Sequence, residues 1–214
     1  MQYLPSAGQF APVEELAKVL PKLTYQIFFE KSTQVAIKEL NKDIRRSLRS
    51  VLRCRSSPPP DSFLLSNTSL LDAYTDYEEI PPTTFYSPQE EDYMVEQFSK
   101  QGFDYSLQFY TYHNRYESWK TSHEQGNYTI PQPALFVAPL EDPVADWIVA
   151  MKMLGSEKLI PHLTTKTIGA HHWPHLEAPG EFNEILDEWL KELKLEHQEA
   201  KEAKDKRHGS GEEL

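Results

Sequence analysis

The sequence predicts an α/β chain in two parts, a mainly helical region up to about residue 130 and two β-α units from 131 to about 195. Two observations predict it. In the first part, apolar residues recur at three- and four-residue steps, the period of helices with one buried face. After Pro131 and Pro133 the pattern changes to short apolar runs alternating with helical stretches, which is how parallel strands joined by crossover helices read.

Taken in order, a short helix is expected over 12–20. Pro12 suits the first helical position, Glu14 and Glu15 suit the positive end of the helix dipole, and Pro21 stops it. The aromatic patch Tyr25-Gln26-Ile27-Phe28-Phe29 follows. A second helix is expected over about 33–52, with Ile37, Leu40, Ile44, Leu48, Val51 and Leu52 on one face and Lys38, Asp43, Arg45 and Arg49 on the other. Ser56-Ser57-Pro58-Pro59-Pro60 breaks it. Residues 56–84 are rich in Pro, Ser, Thr and Asp, so the stretch 56–86 reads as an irregular, mobile excursion. Ser87, Pro88 and Glu90 form a capping box for a helix running to Gln101 and ending at Gly102. One more helix is expected over 104–124, closed by Gly126.

In the second part, 134–138 (Ala-Leu-Phe-Val-Ala) is a continuous apolar run, expected as a strand buried on both faces. A helix over 144–154, a strand over 163–168 and a helix over 181–193 complete the two units. Two such units do not make a stable sheet alone, so the strands are expected to need neighbours from elsewhere. Residues 196–214 are nearly all charged or small and read as a fraying helical extension or a disordered tail, with disorder the expectation.

Composition narrows the function classes. The chain has 214 residues, a formal net charge of −11 and 12% aromatic residues. A field of that sign repels polyanions, so nucleic acid is not an expected partner. The longest apolar stretches are too short to cross a bilayer, no leader is evident, and no membrane partner is expected. The single cysteine, Cys54, excludes an internal disulfide and points to a reducing, cytoplasmic setting.

Two places carry candidate chemistry. Glu141-Asp142 follows the first strand, and functional groups in open parallel sheets sit just beyond the carboxyl ends of strands. Asp142 could equally cap the next helix, with Pro143 at its first position. Gly169-Ala170-His171-His172-Trp173 follows the second strand. Thirty positions separate Asp142 from His172, one crossover, so both are expected at the same edge of the sheet. A carboxylate that accepts a hydrogen bond from an imidazole fixes its tautomer and leaves the far nitrogen free as a base. Pro174 spoils a helical ligand pair of His171 or His172 with His175, so neither metal nor cofactor is expected.

Four stretches together give a resemblance. They are Leu23-Thr24-Tyr25-Gln26-Ile27-Phe28-Phe29; Phe98-Ser99-Lys100-Gln101-Gly102-Phe103 with Leu107-Gln108-Phe109-Tyr110; Pro133-Ala134-Leu135-Phe136-Val137 through Asp142-Pro143-Val144; and Gly169 to Trp173 through Pro179-Gly180-Glu181-Phe182-Asn183. In that order and spacing the chain resembles the epoxide hydrolases of the α/β-hydrolase fold. The resemblance implies a truncated α/β-hydrolase fold: the end of a core segment at 1–10, a helical lid at 11–130, and the last two β-α units of the core at 131–195. It also implies roles. Tyr25 and Tyr110 would be the lid tyrosines that hydrogen-bond the epoxide oxygen as it becomes an alkoxide. Asp142 would be the acid and His172 the base that activates water against an alkyl-enzyme ester. The neighbouring alternatives are Tyr112 for Tyr110, Glu141 for Asp142 and His171 for His172. The implied substrate is a small apolar epoxide.

The sequence departs from that family where the nucleophile is concerned. No Gly-x-Asp-x-Gly or Gly-x-Ser-x-Gly occurs, nor the His-Gly-x-Pro segment that helps build the oxyanion hole. Pro139-Leu140 stand where small and acidic residues are expected, and the excursion is longer and more polar than the family needs. The chain is therefore expected to be part of a larger hydrolase and inactive alone. The alternatives are a catalytically dead lid-bearing binder, or a sister dehalogenase or ester hydrolase. The paired tyrosines argue against the last, since an ester needs no phenols aimed at a leaving ether oxygen.

Overall fold

A computed structural model describes residues 8–209. Its helical part contains α1 (Val13–Val19), α2 (Tyr25–Lys31), α3 (Thr33–Lys42), α4 (Ile44–Val51), α5 (Pro88–Gln101) and α6 (Tyr112–Glu124). The second part contains β1 (Ala134–Pro139), α7 (Trp147–Met153), α8 (Ser156–Leu159), β2 (Leu163–Ile168), α9 (Pro174–Glu177) and α10 (Pro179–Gly209). The aromatic patch forms α2, because its three- and four-residue spacing lets Phe28 and Phe29 enter the core together.

The expected single helix over 33–52 is two. Asp43 leaves the helix with φ −147° and ψ 95°, and its carboxylate accepts the Arg46 N–H at 2.9 Å, capping α4. An Asp side chain competes with the helix for backbone groups, and here it wins. The expected helix over 104–124 is also divided. Residues Ser106–Tyr110 form a 3-10 turn, and the extended Thr111 caps α6. The capping box at Ser87 and Glu90 and the stop at Gly102 are as expected.

The excursion is irregular, as expected, and it is packed into the core. Phe63, Leu70, Tyr74 and Ile80 enter the same core as Phe28, Leu40 and Leu48. The arginines of α4 hold its backbone: Arg46 donates to the carbonyls of Tyr74, Tyr77 and Glu78, and Arg49 to that of Ile80. Arg53, buried just after α4, donates to Pro81 O at 2.8 Å. Composition read this stretch as an irregular excursion and gave no sign of these contacts. The guanidinium donors supply the backbone partners that a sheet or helix would otherwise provide.

Gly102 closes α5 with φ +62°, and a Cβ there would run into the Asn41 carboxamide. That carboxamide accepts the Phe103 N–H at 2.8 Å and donates to Asp104 Oδ2 at 3.0 Å, so it is not free to move. Gly102→Ala is expected to cost about 2 kcal/mol in urea unfolding, combining left-handed strain with the clash. Gly126→Ala, at φ +68° with nothing within 4 Å, isolates the strain alone and is expected to cost about half as much.

β1 and β2 pair in parallel, Ala134 opposite Leu163 and Pro139 opposite Ile168. β1 is half-buried over most of its length rather than covered on both faces, its helical cover among the described residues coming mainly from α7 and α10. The expected disordered tail over 196–214 is instead helical as far as Gly209, with 210–214 outside the described residues. Between Glu181 and His208 the sequence has no Pro or Gly and is dominated by Glu, Lys, Leu and Ala, strong helix formers whatever their charge.

Candidate active site

The parallel ladder continues beyond the strand ends, with Leu140 N–H donating to Ile168 O at 3.0 Å and Glu141 N–H to Ala170 O at 3.2 Å. That registration brings the two loops side by side. His172 Nδ1 lies 2.8 Å from Asp142 Oδ2. The Asp142 side chain is 1% exposed, whereas that of His172 is 42% exposed. The acid is thus sealed beneath an imidazole that faces outward.

Asp142 accepts two further hydrogen bonds. Its Oδ1 takes the Val144 N–H at 2.8 Å, and its Oδ2 takes the indole N–H of Trp147. Burial by itself pushes the carboxyl up, but the bonds from His172 and Trp147 outweigh it and hold the group below its ordinary value. It is therefore an anion at neutral pH. The helix-capping role considered for Asp142 falls to Asp146, whose carboxylate accepts the Val149 N–H at 3.0 Å, and α7 begins at Trp147 rather than 144.

The neighbouring alternatives are drawn elsewhere. Glu141 pairs with Arg55 at 2.8 Å. His171 turns its ring inward, with Nδ1 buried and unpartnered, while its backbone N–H donates to Glu177 Oε2 at 2.8 Å. Tyr112 is half exposed and stacks on Tyr116 of its own helix.

Tyr25 opens α2, and its N–H donates to Leu64 O at 3.2 Å. Tyr110 ends the 3-10 turn before α6. Their rings lie 5.9 Å apart, edge to face, against Phe29. Burial pushes the Tyr25 phenol far above its usual range, the nearby Tyr110 phenol and Asp142 carboxylate adding to it, while a bond from Gln26 Nε2 at 3.2 Å opposes. The phenol stays protonated and available as a donor.

Several residues that matter here went unnoticed in the sequence. Besides Trp147, Arg55 donates through its side chain to Gly169 O and through its N–H to Glu177 Oε1, at 2.9 and 2.8 Å. Trp173 Nε1 donates to Val51 O at 3.0 Å. These contacts tie the end of α4 to the histidine loop across more than a hundred residues of sequence, and no local pattern signals them.

No family model matches the chain. It is 31% identical over 193 residues to bifunctional epoxide hydrolase 2 of Rattus norvegicus, an alignment covering 88% of this chain and 33% of that protein. It is 27% identical to epoxide hydrolase A of Mycobacterium tuberculosis, covering 90% of this chain and 59% of that one. The chain thus spans a third to three-fifths of the length of these curated relatives. A crystal structure of epoxide hydrolase A from Mycobacterium thermoresistibile superposes with a TM-score of 0.66 at 22% identity, covering 86% of this chain and 58% of that one, a likeness of fold. Over most of its length the chain is thus similar in sequence to curated epoxide hydrolases, and its fold is that of part of an α/β-hydrolase epoxide hydrolase.

Proposed function

We propose that this chain contributes the acid, the base and the two alkoxide donors to hydrolysis of a small apolar epoxide to a vicinal diol. One observation carries the reading: the 2.8 Å contact between the buried Asp142 and the outward-facing His172 at adjacent strand ends, on the same molecule as the Tyr25–Tyr110 pair. In the reaction, a carboxylate nucleophile attacks an epoxide carbon and the C–O bond breaks. The phenols of Tyr25 and Tyr110 donate to the departing oxygen as it gains charge, which lowers the barrier only because they are already oriented. His172 then takes a proton from water through Nε2, the hydroxide attacks the ester carbonyl, and the diol leaves. Asp142 holds the imidazole in the right tautomer and stabilises its charged form.

The nucleophile has no counterpart in these 214 residues, since no Gly-x-Asp-x-Gly occurs. The chain by itself is expected to show no epoxide turnover. Its acidity disfavours nucleic acid, and among the described residues no helix is long and apolar enough to cross a membrane. The lone Cys54 suits a reducing, cytoplasmic location.

The reading is tested by joining the chain to the nucleophile-bearing N-terminal half of Mycobacterium tuberculosis epoxide hydrolase A and following styrene oxide hydrolysis. Turnover is expected, and Tyr25→Phe should lower kcat about 100- to 1000-fold while leaving KM within a few-fold, as loss of one oxyanion donor does. A folded fusion that forms the alkyl ester no faster than a His172→Ala, Tyr25→Phe, Tyr110→Phe triple variant would sink the proposal. Hydrolysis by the unjoined chain would show that the nucleophile has been wrongly placed outside it.

A further inference from the structure

We infer that Trp147 is a positioning residue for the Asp142–His172 pair, its indole N–H locking the carboxylate in the orientation that keeps the far nitrogen of His172 free. The inference rests on the acid–base reading of that pair and adds a third member from a separate element, the first turn of α7.

The geometry is that of a carboxylate held at two points. Oδ1 is fixed by the Val144 N–H. With that contact alone, rotation about Cβ–Cγ would carry Oδ2 along an arc, away from the imidazole. The indole of Trp147 meets Oδ2 from one side while His172 Nδ1 meets it from the other. A carboxylate offers about four acceptor sites and no donor, so three donors nearly saturate it, and each removes a direction in which it could turn. Burial raises the stakes, because a sealed carboxylate that loses a donor has no water to replace it.

The rings support the same assignment. Trp147 lies 6.4 Å from His172 and tilted by 44°, while Trp173 stands edge-on to it at 5.0 Å, anchored on Val51 O. The imidazole therefore sits between two indoles, one gripping its acid and the other its flank. Of the other ionisable groups nearby, Glu141 is engaged by Arg55, Asp146 caps α7, and burial keeps the Tyr25 phenol protonated. Packing alone would be served equally by Phe at 147. The N–H is the part of Trp147 that reaches the acid.

The experiment reads the ring nitrogens of His172 by long-range ¹H–¹⁵N NMR on the full 214-residue chain, comparing wild type, Trp147→Phe and Asp142→Asn. Wild type should show the Nδ1–H tautomer. Trp147→Phe should convert about half of it to Nε2–H while the amide signals of β1 and β2 persist. Should Trp147→Phe fail to fold, 3-benzothienylalanine at 147 keeps the shape and removes only the N–H, with the same shift expected. An unchanged Nδ1–H population in whichever of these folds overturns the inference. Asp142→Asn separates the two ideas, since it must also shift the tautomer. If it leaves His172 unaltered, or if wild type lacks the Nδ1–H form, the acid–base reading itself fails and takes the role of Trp147 with it.

Discussion

In the chain joined to its nucleophile, His172→Ala is expected to stop turnover with the alkyl-enzyme ester accumulating. The first half of the reaction needs the nucleophile and the two phenols, none of which is altered, so the epoxide should still open. The second half needs a base within reach of water, and the His172 side chain, with Nδ1 turned to Asp142, is 42% exposed. Mass spectrometry of the quenched protein should show one covalent adduct per chain, and steady-state diol formation should fall about 10⁴-fold. Asp142→Asn should lower it by a similar order, through the tautomer rather than through loss of the base. Glu141→Gln is the informative neutral change. Its carboxylate is exposed and turned to Arg55, so the rate should stay within a few-fold of wild type. A Glu141 variant as damaging as Asp142→Asn would mean that the acid has been misassigned.

The largest stability effect is expected at Arg49. Its side chain is 11% exposed and forms a fork on the Glu91 carboxylate, 13% exposed, at 2.5 and 2.9 Å, while also donating to Ile80 O. It therefore joins α4, α5 and the excursion. Arg49→Ala leaves Glu91 largely buried with only Arg45 to pair it, and strips a carbonyl partner from a stretch that has no ladder of its own. A loss of about 3 kcal/mol in urea unfolding is expected. Arg49→Lys should recover less than half of that, because an ammonium cannot reproduce the fork. The effect should depend on pH. Arg49 holds the Glu91 carboxyl below its ordinary 4.5, burial opposing. A depressed carboxylate contributes its stability fully above the unfolded value and loses it as pH falls through the folded one. The gap between wild type and Arg49→Ala should therefore be constant near neutrality and close as pH drops below about 4.5.

The legible part of the molecule was the part governed by local rules. The capping box at Ser87, the glycine stop at Gly102 and the strand at 163–168 each follow from a few adjacent residues, and the structure has them. The Asp142–His172 pairing was legible because strand ends and crossover length constrain it. What misled was composition used as a substitute for contact. The polar excursion 56–86 is fastened by arginines from α4, and a helix reads the same whether its arginines point to water or to carbonyls. Asp43 was assigned to the exposed face of one long helix, although an Asp there suits a break equally well. Trp147 gave no signal at all, since a Trp at the start of an amphipathic helix ordinarily packs.

The fastening of Arg55 on Gly169 O, Glu141 and Glu177, together with that of Trp173 on Val51 O, also bears on how a molecule would enter. To swing the helical half away from the strip of backbone that carries the imidazole, all of these contacts would have to break together, so the spacing between phenols and imidazole is coupled to them.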